Sequence, residues 1–291
     1  MFRIAGIRVF LHWSWFLIAV YEVQLRAGRY DSPVFNVLEY AALFFIILLH
    51  EFGHALACRS VGGEAHEILL WPLGGVAYVS PPQRPGATLW SIAAGPLVNV
   101  GLVPLLFLIL QLSRVSGIEA LNTRDVQQLL SAVNVINFSL LIFNLLPIYP
   151  LDGGQIVQSL LWFIVGRGRS LQIATGIGFV GVAGLVGLAI WQQSLWFGLI
   201  AFFAFSRCRL GWLQASALIK IDKIPRRAGF ACPACHAAPP IGELWTCQHC
   251  GAKFDLYLHQ STCPNCSATY NMLQCLDCRA VHPFSEWVKK Q

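Results

Sequence analysis

Between Ala41 and Cys58 every residue is apolar or glycine except His50, Glu51 and His54. A helix that is apolar on every face is buried in a large core or in a membrane. The run extends over 34–58, longer than the roughly 20 residues that carry a helix across lipid. Comparable runs lie at about 7–25, 87–112, 126–148, 171–191 and 194–213. Of the 291 residues, 56% are hydrophobic and only 12% charged, about half the charge of an ordinary soluble domain. The expected fold is an all-α polytopic membrane protein with about six transmembrane helices.

The first run contains His12 and Glu22 and follows Arg3 and Arg8. No small-x-small cleavage site comes after it, so it reads as a retained membrane helix and not as a signal peptide. The stretch 61–80, VGGEAHEILLWPLGGVAYVS, breaks the pattern with early polar groups, Pro72 and two glycines. EILLW and VAYV read there as two short strands around a glycine turn. Unpaired backbone cannot face lipid, so this membrane-associated β-hairpin belongs at the surface or against a cavity in the protein. Lys and Arg total 12 in the loops on the side of the N-terminus and 4 on the other. An integral membrane protein with both termini in the cytoplasm follows, in the inner or plasma membrane if the source is bacterial.

Composition changes after residue 219. Residues 1–219 form the membrane domain, 220–229 (KIDKIPRRAG) a basic linker, and 230–291 a cysteine-rich domain. Cys232/Cys235, Cys247/Cys250, Cys263/Cys266 and Cys275/Cys278 are four C-x-x-C pairs, the pattern of thiolate metal knuckles. Two consecutive four-cysteine sites would make a double zinc ribbon holding two structural zinc ions. A RING-like interleaving of the pairs is the alternative. Thiolate sites belong in a reducing compartment, which again points to the cytoplasm. Linker and cysteine-rich domain together, residues 220–291, carry a net charge of only +3 from 8 basic and 5 acidic residues. That argues against nucleic acid and for a protein partner or substrate tail.

The polar residues of the opening run are four apart, so His50 and His54 share one helix face. H-E-x-x-H is the zinc-protease pattern, with Glu51 as the base. Ionisable groups inside a span are expensive and usually functional. A catalytic zinc needs a third protein ligand. Asp152, in NLLPIYPLDGGQ, follows two prolines that break a helix and precedes two glycines that free the backbone to turn inward. Taken alone, it reads equally well as a turn aspartate capping the next helix.

HEFGH, WPLGGVAYV, AAGPLVN and NLLPIYPLDGG occur in the order found in the site-2 protease family of intramembrane zinc metalloproteases. The chain resembles its six-helix branch over most of residues 1–215. The resemblance implies one catalytic zinc on His50, His54 and Asp152, with Glu51 as general base and Asn144 stabilising the reacting carbonyl. It also implies that Leu73, Gly74, Gly75, Val76 and Ala77 engage the substrate as a strand. Asn99 matches a family position and joins the substrate-contacting set. The implied activity is hydrolysis of peptide bonds within or near transmembrane segments of substrate proteins in the lipid bilayer. Some relatives carry a C-terminal CBS domain; this chain has cysteine knuckles there instead.

Other polar groups have plainer readings. Cys58 and Cys208 read as small buried thiols, and His66 with Glu64 and Glu67 as a solvated strand start. His12 reads as an interfacial side chain. Asn134 and Asn137 read as helix glue. Two competing functions remain: another H-E-x-x-H membrane metalloprotease class using a distant glutamate, for which Glu119 is the candidate, and a non-catalytic zinc-binding membrane receptor or scaffold.

Overall fold

The computed structural model describes the chain apart from Met1, Ala27, Pro72, Leu73, Arg279 and residues 289–291. Among the described residues, four helices are long and apolar enough to cross a membrane: α2 (Pro33–Ser60), α3 (Pro85–Val115), α4 (Arg124–Leu145) and α6 (Arg167–Trp191). Proline opens both α2 and α3, where its missing N–H costs nothing and its fixed φ suits the first turn.

The first expected span, 7–25, is corrected. Strands β1 (Phe2–Ile4) and β2 (Ile7–Leu11) form a hairpin, and only Ser14–Leu25 is helical, as α1. Twelve residues rise about 18 Å, short of the ~30 Å hydrocarbon core. Ala5 and Gly6 turn the hairpin at φ 49° and 75°, the left-handed pair that a two-residue type I′ loop requires.

The expected hairpin at 61–80 is present as β3 (Glu64–Trp71) and β4 (Gly74–Ser80). One sheet runs β1-β2-β3-β4, with β2 parallel to β3 and the other pairs antiparallel. Its inner face is apolar. Ile7, Val9, Ile68 and Leu70 are fully buried among Trp15 of α1 and Leu48 and Ala55 of α2. Each such side chain contributes about 1.5–3 kcal/mol, which pins the sheet to the helix carrying H-E-x-x-H. Among the described residues β4 pairs only with β3 and lies at the edge.

Helices α2 and α3 approach closely at Gly53, where a Cβ would lie 2.7 Å from the Ala94 carbonyl. Asn134 of α4 donates to the Leu106 carbonyl of α3 at 3.2 Å, the helix-glue role expected of it. The N-terminus of α2 is fixed twice. Buried Glu39 accepts from Arg26, Arg29 and Tyr30, and Asp125 accepts the N–H groups of Asp31 and Ser32 at 2.9 and 3.0 Å.

After α4 the chain crosses to α5 (Asp152–Val165). Gly153 and Gly154 here do not supply unusual backbone angles. A Cβ on either would sit 2.3–2.4 Å from backbone atoms of Leu145 or Tyr149, so glycine lets the helix start press against the preceding loop. α7 (Leu195–Asp222) runs on through the first residues of the expected linker. The chain divides into two compact units, Met1–Trp212 and Leu213–Gln291.

The second unit holds two small two-stranded sheets, β5 (Trp245–Thr246) with β6 (Lys253–Phe254) and β7 (Met272–Gln274) with β8 (Val281–Pro283), and the short helix α8 (Phe284–Trp287). Phe254, Leu256, Tyr257, Leu273 and Trp287 form its core with four of the cysteines.

Candidate metal and catalytic site

The H-E-x-x-H segment lies on α2, and its histidines face Asp152 at the first turn of α5. His50 Nε2 is 3.0 Å and His54 Nε2 3.3 Å from Asp152 Oδ2, and the two Nε2 atoms are 3.1 Å apart. All three side chains lie mostly out of solvent. The far nitrogens are engaged elsewhere: His54 Nδ1 lies 2.9 Å from the Ser91 carbonyl, and His50 Nδ1 lies 2.6 Å from Asn99 Oδ1. A backbone carbonyl only accepts, so His54 carries its proton on Nδ1 and turns a bare Nε2 lone pair inward. Two imidazole lone pairs and a carboxylate oxygen aimed at one point repel one another unless a cation lies among them. Two His nitrogens and one carboxylate oxygen suit zinc and leave its fourth position open. Glycine makes room on the α3 side, since a Cβ on Gly95 would lie 2.3 Å from His54 Nε2 and 2.8 Å from His50 Nε2.

Glu51 is buried beside this group. The Ala77 N–H, on the edge strand β4, donates to its Oε2 at 2.8 Å. A Cβ on Gly75 would fall 2.3 Å from Glu51 Cγ, so the strand can lie against the glutamate only because residue 75 is glycine. A cavity of about 440 Å3 opens over the cluster, lined by Gly75, Val76, Ala77, Asn144 and Arg207.

A model of Peptidase family M50 matches residues 39–188, the segment that holds His50, Glu51, His54, Gly75, Ala77, Asn144 and Asp152. The chain belongs to peptidase family M50. It is 33% identical to a zinc metalloprotease of Methanocaldococcus jannaschii over 180 residues, 61% of this chain and 50% of that protein. It is 34% identical to stage IV sporulation protein FB of Bacillus subtilis over 117 residues, 40% of this chain and 37% of that protein. The chain thus spans half or less of the length of these curated relatives. Among solved structures, the site-2 protease from Methanocaldococcus jannaschii aligns with a TM-score of 0.53 at 26% identity, covering 73% of this chain and 94% of that one.

The M50 segment distributes its sequence-predicted residues unevenly. His50, His54 and Asp152 converge, Glu51 lies against β4, and Asn144 lines the cavity. Gly74 opens β4, while Leu73 lies outside the described residues. Asn99, read as a substrate contact, is fully buried and bonds His50 and Asn137. The Ser91 carbonyl, Gly95 and Asn137 were missed as parts of the site. Gly95 had a signal, since a glycine in AAGP beside a metal helix marks a close approach. The other two show only in the folded chain.

The tail corrects both expected pairings of the knuckles. Cys232, Cys235, Cys275 and Cys278 form one cluster, and Cys247, Cys250, Cys263 and Cys266 the other. The inner site is nested within the outer, with facing sulfurs 3.5–3.8 Å apart. Nesting follows from the unit's ends, which close on each other through the Phe230–Val288 bridge and the Ala231 N–H donated to the Trp287 carbonyl at 2.8 Å. The first and last knuckles therefore meet. All four share one turn, C-x-x-C-x-A, in which the first cysteine's N–H donates to the alanine carbonyl at 2.8–2.9 Å. His236, Gly251 and Ser267, each directly after a second cysteine, take positive φ.

The thiols show what the clusters want. The Tyr270 hydroxyl donates to Cys247 at 3.0 Å and brings that thiol down to about 5. Burial, reinforced by the Cys278 and Cys232 thiols, pushes Cys235 up to about 12. Four thiols this close cannot all ionise against one another without a cation, and a tetrahedral thiolate metal fits them.

Proposed function

We propose that this M50 chain is an intramembrane zinc metalloendopeptidase that hydrolyses peptide bonds within or near transmembrane segments of substrate proteins. The carrying observation is the convergence of His50, His54 and Asp152 beside a buried glutamate and the edge strand β4.

Zinc held by His50, His54 and Asp152 supplies Lewis acidity and lowers the pKa of water at the site. Glu51 takes the attacking water's proton and returns it to the leaving amine. The Ala77 N–H holds Oε2 and leaves Oε1 for that proton. Asn144, on the cavity wall, offers its amide N–H to the oxyanion, an interaction of a kind worth roughly 3–4 kcal/mol. A substrate helix hides its carbonyls in its own hydrogen bonds. It unwinds and pairs with the edge of β4 around Gly74–Ala77, replacing those bonds strand to strand.

The membrane domain, 1–219, crosses the bilayer with both termini cytoplasmic. Support comes from the loop charges and from β2 pairing with β3, which puts the N-terminus on the hairpin's side. The linker 220–229 leads to a module, 230–291, that holds two structural zinc ions and recognises a protein partner or substrate tail, without nucleic acid.

The test is co-expression of the wild type or Glu51→Gln with a panel of membrane-helix substrates. Fragments with the wild type alone support the protease. Equal fragment patterns sink it and leave the zinc-binding scaffold. Zinc lost in Glu119→Ala but kept in Asp152→Ala would point to the other metalloprotease class.

A further inference from the structure

We propose that Asn137 is the positioning residue that sets His50 as a metal ligand, acting through Asn99. The inference rests on the metal reading of the His50–His54–Asp152 cluster.

The two histidines reach their ligand form by different routes. His54 is fixed directly, because its Nδ1 meets a backbone carbonyl. His50 Nδ1 meets a side-chain amide, which can present either its oxygen or its NH2 to the ring. With the NH2 toward His50, the ring would accept at Nδ1 and carry its proton on Nε2, aimed at Asp152. That tautomer cannot bind a metal at Nε2.

Asn137 removes the ambiguity. Its side-chain nitrogen lies 3.1 Å from the Asn99 backbone carbonyl. That oxygen cannot donate, so Asn137 must place its NH2 there and its Oδ1 on the other side. Asn137 Oδ1 then lies 2.8 Å from Asn99 Nδ2, which must donate to it. Asn99 Oδ1 is left facing His50 Nδ1 at 2.6 Å. The proton sits on Nδ1 and the Nε2 lone pair turns inward. Both histidines thus end at a backbone carbonyl, one directly and one through two amides. The relay is closed to solvent, with Asn99 0% and Asn137 1% exposed, so flipping either amide alone would set buried like groups against each other, NH2 against NH2 or oxygen against oxygen.

Asn134, one turn earlier on α4, separates this role from plain helix glue. Its amide donates to the Leu106 and Leu130 carbonyls and touches no ligand.

The experiment measures zinc affinity at the cluster in the whole purified chain by competition with a chelator. The site is assigned as the zinc absent from Asp152→Ala, and each variant's melting temperature is recorded alongside. Asn137→Leu weakens zinc binding by about 10–100-fold, as loss of a ligand's supporting partner does. Asn99→Leu does the same, and the double variant stays within about twofold of Asn99→Leu, because the two act in series. Asn134→Leu lowers the melting temperature without weakening zinc. Asn137→Asp keeps an acceptor for Asn99 in either protonation state and holds zinc within about twofold of wild type. If Asn137→Leu does not fold, Asn137→Ala takes its place. The proposal is overturned by wild-type affinity in Asn137→Leu, by a double variant as weak as the product of the singles, by Asn134→Leu matching Asn137→Leu, or by Asn137→Asp failing to hold zinc. A wild-type chain with no more zinc than Asp152→Ala would fail the metal reading itself and this inference with it.

Discussion

The chain builds two kinds of metal-binding geometry by opposite routes. The His50–His54–Asp152 site draws its candidate ligands from positions up to 102 residues apart, and packed helices and a sheet hold them. Its lone pairs are aimed by Ser91, Asn99 and Asn137, all outside the ligand set. The tail clusters instead join knuckles of one repeated turn across 13–46 residues, and their cysteines are a large part of the core they sit in. The first geometry is a consequence of the fold, with one side left open for chemistry. In the second, the ligands are the fold and the site is closed.

Chelation should separate the two most strongly. Binding energy for structural zinc is about 10–16 kcal/mol and is folding energy in so small a unit. Metal removal should unfold the tail, read as rapid limited proteolysis after residue 222, while the helical circular dichroism of the membrane unit persists. Loss of both units together would erase the contrast. Next in size, Glu51→Gln should lower cleavage of a membrane-helix substrate by about 10²–10⁴-fold with zinc content unchanged. A fall in zinc would show the glutamate to be structural. Gly75→Ala tests the strand that backs the base. Its new Cβ would collide with Glu51 Cγ, and a shift of about 1 Å at a catalytic group costs on the order of 100-fold. Wild-type turnover would mean that β4 does not sit against Glu51 during catalysis. Smallest is Tyr270→Phe, which should weaken zinc at the inner cluster by up to about tenfold. Without the hydroxyl the Cys247 thiol rises from about 5 and protons compete better with metal. The deficit should therefore grow as pH falls from about 8 to about 6, and a deficit independent of pH would detach Tyr270 from the thiolate.

What the sequence shows of each region follows the same division. H-E-x-x-H, the glycine-rich hairpin and Asp152 are readable because each is local, down to helical spacing and the residues of a turn. The N-terminal hairpin is not, because FRIAGIRVFL joins an apolar run and its alternation is short. The Ala5-Gly6 turn was the available signal. The amide relay is tertiary: nothing near Asn137 in sequence says that it will meet Asn99, 38 residues earlier. Knuckles are legible one at a time, and C-x-x-C-x-A repeats four times in plain view. Their nesting depends on the Phe230–Val288 bridge joining the unit's ends, which spacing does not encode. The glycines at 153 and 154 look like conformational freedom in sequence and are close-packing positions in the fold.

A zinc-edge anomalous difference map of crystals of the whole chain tests the two-route account most directly. It should show one peak among His50, His54 and Asp152, one among Cys232, Cys235, Cys275 and Cys278, and one among Cys247, Cys250, Cys263 and Cys266. No peak at the histidines, or a peak joining Cys232 and Cys235 to Cys247 and Cys250, would contradict it.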